Sequence, residues 1–209
     1  MPDYMQKSKE DRGIFERIAL YVPGYRGYRE KNIRREIDRL VRSHIGLSIK
    51  EAKTVLNDLK RQVMENGDID SVKSIDRIST KIDTYMKSIE SAESGYSGIW
   101  ETMKTTESDL DGVVEWDEKL IIGSEELKAA LKEFRDRVDE GSADVKKELR
   151  EIERDVDDLK DALNERKLVI KGLADSAEQE SINAAASGRS AEEPSESGEP
   201  KKKGLFRRK

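Results

Sequence analysis

Residues 145–173 read VKKELREIERDVDDLKDALNERKLVIKGL, and this stretch decides the fold. Its apolar residues recur at alternating steps of three and four, which is the spacing of a coiled-coil seam on an α-helix. The seam requires a partner helix, from this chain or from a second copy, because a narrow apolar stripe on a charged helix buries little by itself. Leu173 ends the pattern, and the seam positions before it are Val145, Leu149, Ile152, Val156, Leu159, Leu163, Arg166 and Ile170.

Arg166 is the one polar residue on the seam. If it is buried, its guanidinium needs a carboxylate partner, and its role is then to fix the register or the identity of the partner helix. The alternative is that its side chain extends out of a fraying last heptad and keeps its charge in water. The sequence leaves both interpretations open.

The composition favours extended helices over a compact globule, since 34% of the residues are hydrophobic, 41% are charged and 5% are aromatic. A net charge of −5 argues against a body that binds nucleic acid generally. Cysteine is absent, which excludes disulfides and thiolate metal sites. Because no long apolar run or secretory signal is visible, we expect a cytoplasmic protein that does not span a membrane.

Upstream of the seam, the same periodicity predicts an antiparallel helical bundle over residues 10–122. A helix begins near Arg29, with a slip of phase near Gly46, and the sequence Asn66-Gly67 is a strong stop signal. A third helix follows and is predicted to break at residues 95–100, GYSGIW.

A fourth, shorter helix is predicted to end at Gly123, with Ser124 capping the next helix. Residues 124–174 then form a coiled-coil helix or a hairpin. The hairpin is favoured because the apolar register changes at Gly141-Ser142, where a glycine and a capping serine suit a turn, and a stutter is the alternative. The predicted fold class is therefore all-α: an antiparallel helical bundle, a coiled-coil segment and a disordered C-terminal tail.

The C-terminal region, residues 175–209, combines an acidic linker that we expect to be disordered with a basic end. The end reads PKKKGLFRRK and places two apolar residues among six bases. This pattern predicts reversible docking on an anionic membrane surface or in an acidic groove of a protein partner, and a merely solubilising tail is the alternative. The docking residues are Lys201, Lys202, Lys203, Leu205, Phe206, Arg207, Arg208 and Lys209.

The pattern of residues 13–22 predicts a short amphipathic helix that either covers the end of the bundle or touches a membrane or partner. The loop after it alternates Tyr25, Arg26, Tyr28 and Arg29, which are residue types that stack bases and grip phosphates in proteins that bind single-stranded nucleic acid. A nucleic-acid-associated protein that uses this loop and the basic terminus is the alternative function, and it is less favoured because nothing else in the body is basic enough to extend such a site. The simpler interpretation is a turn whose tyrosines pack on the bundle.

No catalytic residue, cofactor site or metal site is predicted. The single histidine, His44, lies on an apolar stripe, where a packed imidazole is the common case. Five acids between Asp109 and Glu118 lack the glycine and the terminal glutamate of a calcium-binding loop, so they are interpreted as a solvated helical face. We therefore expect a protein that is not an enzyme.

Two stretches, YVPGYRGYREK at residues 21–31 and GYSGIW at residues 95–100, resemble an uncharacterised family of prokaryotic helical proteins over residues 14–122. That resemblance implies no activity. Residues 13–17, GIFER, are similar to the opening of phage-shock protein A, a membrane-remodelling protein. The Pro-Gly-Tyr loop and the basic end depart from that protein, so filament formation and membrane remodelling are not carried over.

These observations predict a helical scaffold or adaptor that associates with itself and docks through its basic end. The alternatives differ in partner, and no motif of the chain identifies that partner.

Overall fold

The computed structural model describes residues 13–27, 34–102 and 107–188, and these residues confirm the all-α prediction, because they form helices and turns without a strand. The chain divides into two compact units, residues 1–177 and residues 178–209, and the packing described below belongs to the first. The helices are α1 (residues 13–21), α2 (Arg34–Glu65), α3 (Ile69–Thr102), α4 (Glu107–Asp139) and α5 (Val145–Gly188).

The turn between α2 and α3 lies where Asn66-Gly67 predicted a stop. Gly67 has φ 76°, a left-handed conformation that glycine adopts without a steric penalty. Its backbone N–H donates to Met64 O at 3.0 Å, which closes the last turn of α2. Asp68 then caps α3, because its carboxylate accepts hydrogen bonds from Ser71 N at 3.1 Å and Ser71 Oγ at 2.6 Å.

A second tight turn separates α4 from α5, as the hairpin interpretation predicted. Gly141 has φ 71°, and Ser142 N donates to Arg137 O at 3.0 Å. The capping residue of α5 is Asp144, whose Oδ1 accepts from Lys147 N at 3.1 Å, and not Ser142. Across the turn Arg137 donates two hydrogen bonds to Glu148, at 2.9 and 2.6 Å, so the helices run antiparallel.

The side chains that join the two hairpins fix their relative direction. On α2 and α4, Ser48 contacts Glu125 and Gln62 contacts Asp139, each pair at 2.5 Å and each 77 residues apart. A constant separation means that these helices are parallel. Helices α3 and α5 are likewise parallel with a separation of 76 residues, at the pairs Arg77 with Glu153 and Lys81 with Asp157.

The seam on α5 packs against helices of the same chain. The six apolar seam residues from Leu149 to Ile170 are all buried, and Val145 is partly buried. Each such side chain contributes about 1.5–3 kcal/mol relative to an exposed position. The seam therefore has an intramolecular partner, and these side chains are not exposed to a second copy of the chain.

The predicted boundary between residues 122 and 124 falls inside α4, which continues through Gly123. Ser124 does not cap a helix; its hydroxyl donates to Leu120 O at 2.6 Å within α4. The structural reason for the glycine is close packing, since a Cβ on Gly123 would lie 2.9 Å from Leu159 Cδ2 on α5. The segments predicted as residues 10–122 and 124–174 thus share one core.

Two further helix ends were wrong. Helix α3 continues through the predicted break at residues 95–100 to Thr102, although the side chains there lie outside the described residues. Helix α5 continues to Gly188, so the predicted linker is helical over residues 175–188, where alanine is frequent and favours helix. Residues 189–209, which include the docking peptide, lie outside the described residues.

Candidate functional site

A charged side chain occupies the centre of the bundle. Arg166 on α5 is only 1% exposed, and its guanidinium lies between carboxylates on two other helices. Its Nε donates to Asp117 Oδ1 on α4 at 2.6 Å, and its Nη2 donates to Asp38 Oδ1 on α2 at 2.8 Å. The interpretation in which Arg166 is buried and paired is therefore correct, and the one in which it extends into water is wrong.

A second arginine shares one of these carboxylates. Arg42, one helical turn after Asp38, donates to Asp38 Oδ2 through Nε at 2.9 Å, and its Nη2 lies 2.8 Å from the same oxygen. Asp38 thus bridges two guanidinium groups. The four buried side chains on α2, α4 and α5 carry two positive and two negative charges, so the cluster is neutral overall.

Tyr25 connects the segment after α1 to the same cluster. Its hydroxyl donates to Asp117 Oδ2 at 3.3 Å, and its ring lies 6.0 Å from the ring of Phe15. Burial, and then the nearby Asp117 carboxylate, raise the pKa of Tyr25, so its hydroxyl keeps its proton. We call Tyr25, Asp38, Arg42, Asp117 and Arg166 the buried ion network.

The local backbone after α1 positions Tyr25. Gly27 has φ 69°, and a Cβ at this residue would lie 2.5 Å from the Phe15 ring, so glycine is required both by conformation and by space. Ile18 and Val22 are buried, and Arg17 pairs with Glu118, the neighbour of Asp117. Helix α1 therefore packs on the bundle, as the simpler of its two interpretations stated.

This packing removes Tyr25 from the residues that the nucleic-acid alternative would use. Tyr25 is buried at 6% exposure and cannot stack on a base, whereas Arg26 is exposed. Tyr28 and Arg29 lie outside the described residues. The interpretation of this loop as a turn whose tyrosine packs on the bundle is correct for Tyr25.

The chemistry of the buried ion network is structural. Arginine stays protonated at all physiological pH values, so the two guanidinium groups do not exchange protons with a substrate. Removing charges from water costs several kcal/mol per ion, and this cost is recovered only where hydrogen bonds are well directed, as they are here. The arrangement joins α2, α4, α5 and the segment after α1 at one level of the bundle.

Sequence reasoning missed most of this network. Asp117 was interpreted as part of a solvated face, yet it is 0% exposed. The available signal was its position, because Asp117 lies three or four residues from buried Val113, Val114, Leu120 and Ile121. Asp38 similarly follows buried Ile37. A polar residue on the apolar stripe of each of three helices was the sequence signal that these residues meet in the core.

His44 is partly buried, as expected, and its Nε2 lies 3.2 Å from Glu125 Oε1. Burial alone would raise the pKa of Glu125, but hydrogen bonds from Lys128 and Ser48 outweigh it and lower that pKa. Among the residues that the structure describes, no group of three or more histidines or acids is placed to hold a metal ion. In the same part of the chain, no helix has the length and apolar character needed to cross a membrane.

Comparison with known proteins adds no relative. The likenesses to the prokaryotic helical family and to phage-shock protein A therefore stay predictions from sequence. No protein-family model, curated protein or solved structure matches this chain.

Proposed function

We propose that the protein is a non-enzymatic helical scaffold or adaptor, which associates with itself and docks reversibly on an anionic membrane surface through residues 200–209. The bundle serves as the stiff body of the scaffold, and the basic C-terminal peptide serves as its contact.

The observation that supports a stiff body is that the ionisable core residues bind one another across different helices. Arg166 binds Asp38 and Asp117, Arg42 binds Asp38, and Tyr25 binds Asp117. Because these bonds connect three long helices and the segment after α1, separating any one of them breaks a hydrogen bond to a buried charged group. A body of this kind holds attached partners at fixed positions.

The composition of the last ten residues supports membrane docking. Six bases flank Leu205 and Phe206. Each base near an anionic surface contributes about 1 kcal/mol, so the six together supply about 6 kcal/mol. Insertion of the two apolar side chains adds about 1–3 kcal/mol. Acids in the preceding residues reduce this sum, which makes the attachment weak and reversible.

Flotation with lipid vesicles tests the docking. Full-length protein is mixed with vesicles of equal parts phosphatidylglycerol and phosphatidylcholine, and with vesicles of phosphatidylcholine alone. We expect flotation only with the anionic vesicles, and we expect it to fall as salt is added, because salt screens exposed charges.

A matched pair of variants separates the peptide from the rest of the chain. Phe206→Ser should reduce flotation, whereas Leu20→Ser should leave it unchanged, although Leu20 is 80% exposed on α1. Absence of flotation at low salt for the full-length protein would exclude membrane docking. Loss of flotation in Leu20→Ser alone would move the contact from the peptide to α1.

A further inference from the structure

A groove runs between α4 and α5 on the surface of the bundle. Its volume is about 340 Å³, and its floor is apolar. Lys119 and three acids stand around the floor. We call this surface the α4–α5 groove; the floor consists of Gly123, Leu127, Ala130, Leu159 and Ala162, and the acids are Glu126, Asp155 and Asp158.

The groove exists because the residues between the two helices are small. Gly123 brings α4 close to Leu159, and Ala130 and Ala162 then leave space where larger side chains would meet. Leu127 and Leu159 are buried in the core below, so the floor is continuous with it. An apolar side chain of a partner would therefore rest on a preformed apolar surface.

The three acids of the groove have no salt-bridge partner within 4.0 Å among the described residues, although the neighbouring acids on α5 have theirs. Glu153 pairs with Arg77 and Lys81, and Asp157 pairs with Lys81. Burial, and then Asp158, raise the pKa of Asp155, and Arg154 lowers it by less, so the negative charge of its neighbours is only partly balanced. A cationic ligand would relieve this repulsion.

We propose that the α4–α5 groove binds the basic C-terminal segment, residues 200–209, of a second copy of this chain. The bases of the segment pair with Glu126, Asp155 and Asp158, and Leu205 and Phe206 cover the apolar floor. This inference rests on the proposed function, because it gives self-association a surface that the buried seam does not provide.

The occupant follows from charge and from the length of chain beyond the described residues. The segment carries six bases, and the α4–α5 groove presents three unpaired acids against one lysine. Residues 189–199 separate the segment from α5 and supply a tether to a neighbouring molecule. If two copies exchange their segments, the dimer contains two identical contacts between a segment and a groove. Once the first contact has formed, the second forms within the same complex and therefore at high effective concentration.

A consequence for regulation follows, because the same segment also docks on the membrane. A segment that lies in a groove is not available to lipid, so anionic vesicles and a second copy compete for it. We expect anionic vesicles to dissociate the self-associated protein, and phosphatidylcholine vesicles to leave it intact.

Mixing two variants tests the proposal. The groove variant carries Asp155→Lys and Asp158→Lys; the segment variant carries Lys201→Glu, Lys202→Glu, Lys203→Glu and Phe206→Ser. By sedimentation velocity we expect each alone to associate with itself at least about tenfold more weakly than the wild type. Mixed together they should form a one-to-one pair, because one supplies an intact segment and the other an intact groove.

Two controls protect this result from effects on folding. Asp161→Lys with Glu140→Lys makes the same change in charge at exposed residues outside the groove, and should associate like the wild type. Adding Lys201→Glu, Lys202→Glu, Lys203→Glu, Arg207→Glu and Arg208→Glu to the groove variant reverses the charge of the segment as well as that of the groove, and should restore association. The circular dichroism of every variant is compared with that of the wild type.

Each outcome separates this inference from the proposed function. If the groove variant associates as tightly as the wild type, the groove is not the surface, while self-association stands. If the two variants do not pair in the mixture, the segment is not exchanged between copies and the inference is wrong. If the wild type does not associate, both this inference and the proposed self-association fail, and flotation decides the membrane contact separately.

Discussion

At the scale of single residues, Arg166 is the side chain that joins the two carboxylates of the buried ion network. Its removal would take a guanidinium partner from both Asp117 and Asp38. We expect Arg166→Leu to lower the free energy of unfolding by about 3–5 kcal/mol, since two buried carboxylates lose a guanidinium partner. Urea unfolding measures this loss. Arg154→Leu, at an exposed position of the same helix, should change stability by about 0.5 kcal/mol or less.

A second substitution should recover part of the loss. In Arg166→Leu with Asp117→Leu, the carboxylate on α4 that lost its guanidinium partner is also gone, so we expect the double variant to be more stable than Arg166→Leu alone. A double variant whose two losses simply add would show that the pair is not coupled.

The sequence predicts that a buried residue needs a partner, but it does not predict which residue that partner is. The need of Arg166 for a carboxylate follows from its place on the seam. That the carboxylates are Asp38 and Asp117, separated from it by 128 and 49 residues, depends on how the helices align, and periodicity within one helix carries no such information. Tyr25 was missed as a network member for the same reason.

At the scale of helices and turns, two glycines with different backbone conformations should respond oppositely to alanine. Gly141→Ala should destabilise by about 1 kcal/mol, because φ 71° is unfavourable for a residue with a Cβ. Gly46→Ala should stabilise by about 0.5–1 kcal/mol, because Gly46 lies inside α2 and a Cβ there would meet nothing within 4 Å. Thermal unfolding of both variants checks the signs, and equal signs would contradict the assignment of turn and helix.

The helix starts and stops were predictable where glycine lies in a turn and unpredictable where it lies in a packed helix. Asn66-Gly67 and Gly141 ended their helices as expected. Gly123 did not, because the cost of a glycine in a helix is only about 1 kcal/mol and close packing against Leu159 offsets it. Local sequence states the cost, but only the packed structure reveals what offsets it.

At the scale of the whole molecule, charged substitutions on the seam of α5 test the folding of the bundle. Leu149 and Leu163 are both buried within the chain, so Leu149→Asp with Leu163→Asp places two carboxylates in the core. We expect helicity to fall sharply, as circular dichroism will show, because each unpaired buried charge costs several kcal/mol against a total stability of about 5–15 kcal/mol. Unchanged helicity would contradict the packing of α5 described here.

Stability should also fall in acid. Hydrogen bonds from Arg77 and Lys81 hold the pKa of Glu153 below its usual range, and hydrogen bonds from Ser71 do the same for Asp68. At pH values near the ordinary carboxyl pKa of about 4, the unfolded chain therefore binds more protons than the folded one. These contributions are complete above that pKa and are lost as pH falls through the lower folded values. Urea midpoints between pH 7 and pH 3 measure the decline.

Two variants check the origin of this decline. Glu153→Gln should flatten the pH profile, because it removes a group whose folded pKa is lowered. Asp155→Asn should act in the opposite direction and stabilise the protein near neutral pH, because burial raises the pKa of Asp155 in the folded state. A profile that neither variant changes would place the acid sensitivity elsewhere.

The buried ion network also fixes how far the parallel helices can slide along one another. Apolar stripes with a three-and-four repeat look nearly the same after a slide of one heptad, so a purely apolar bundle has several alignments of similar energy. A slide of that size would place Leu159 or Leu173 opposite Asp38 and Asp117, and Arg166 would then face no carboxylate. The charged layer thus raises the energy of the shifted alignments. Arg166 therefore selects one alignment of helices whose apolar repeat would allow several.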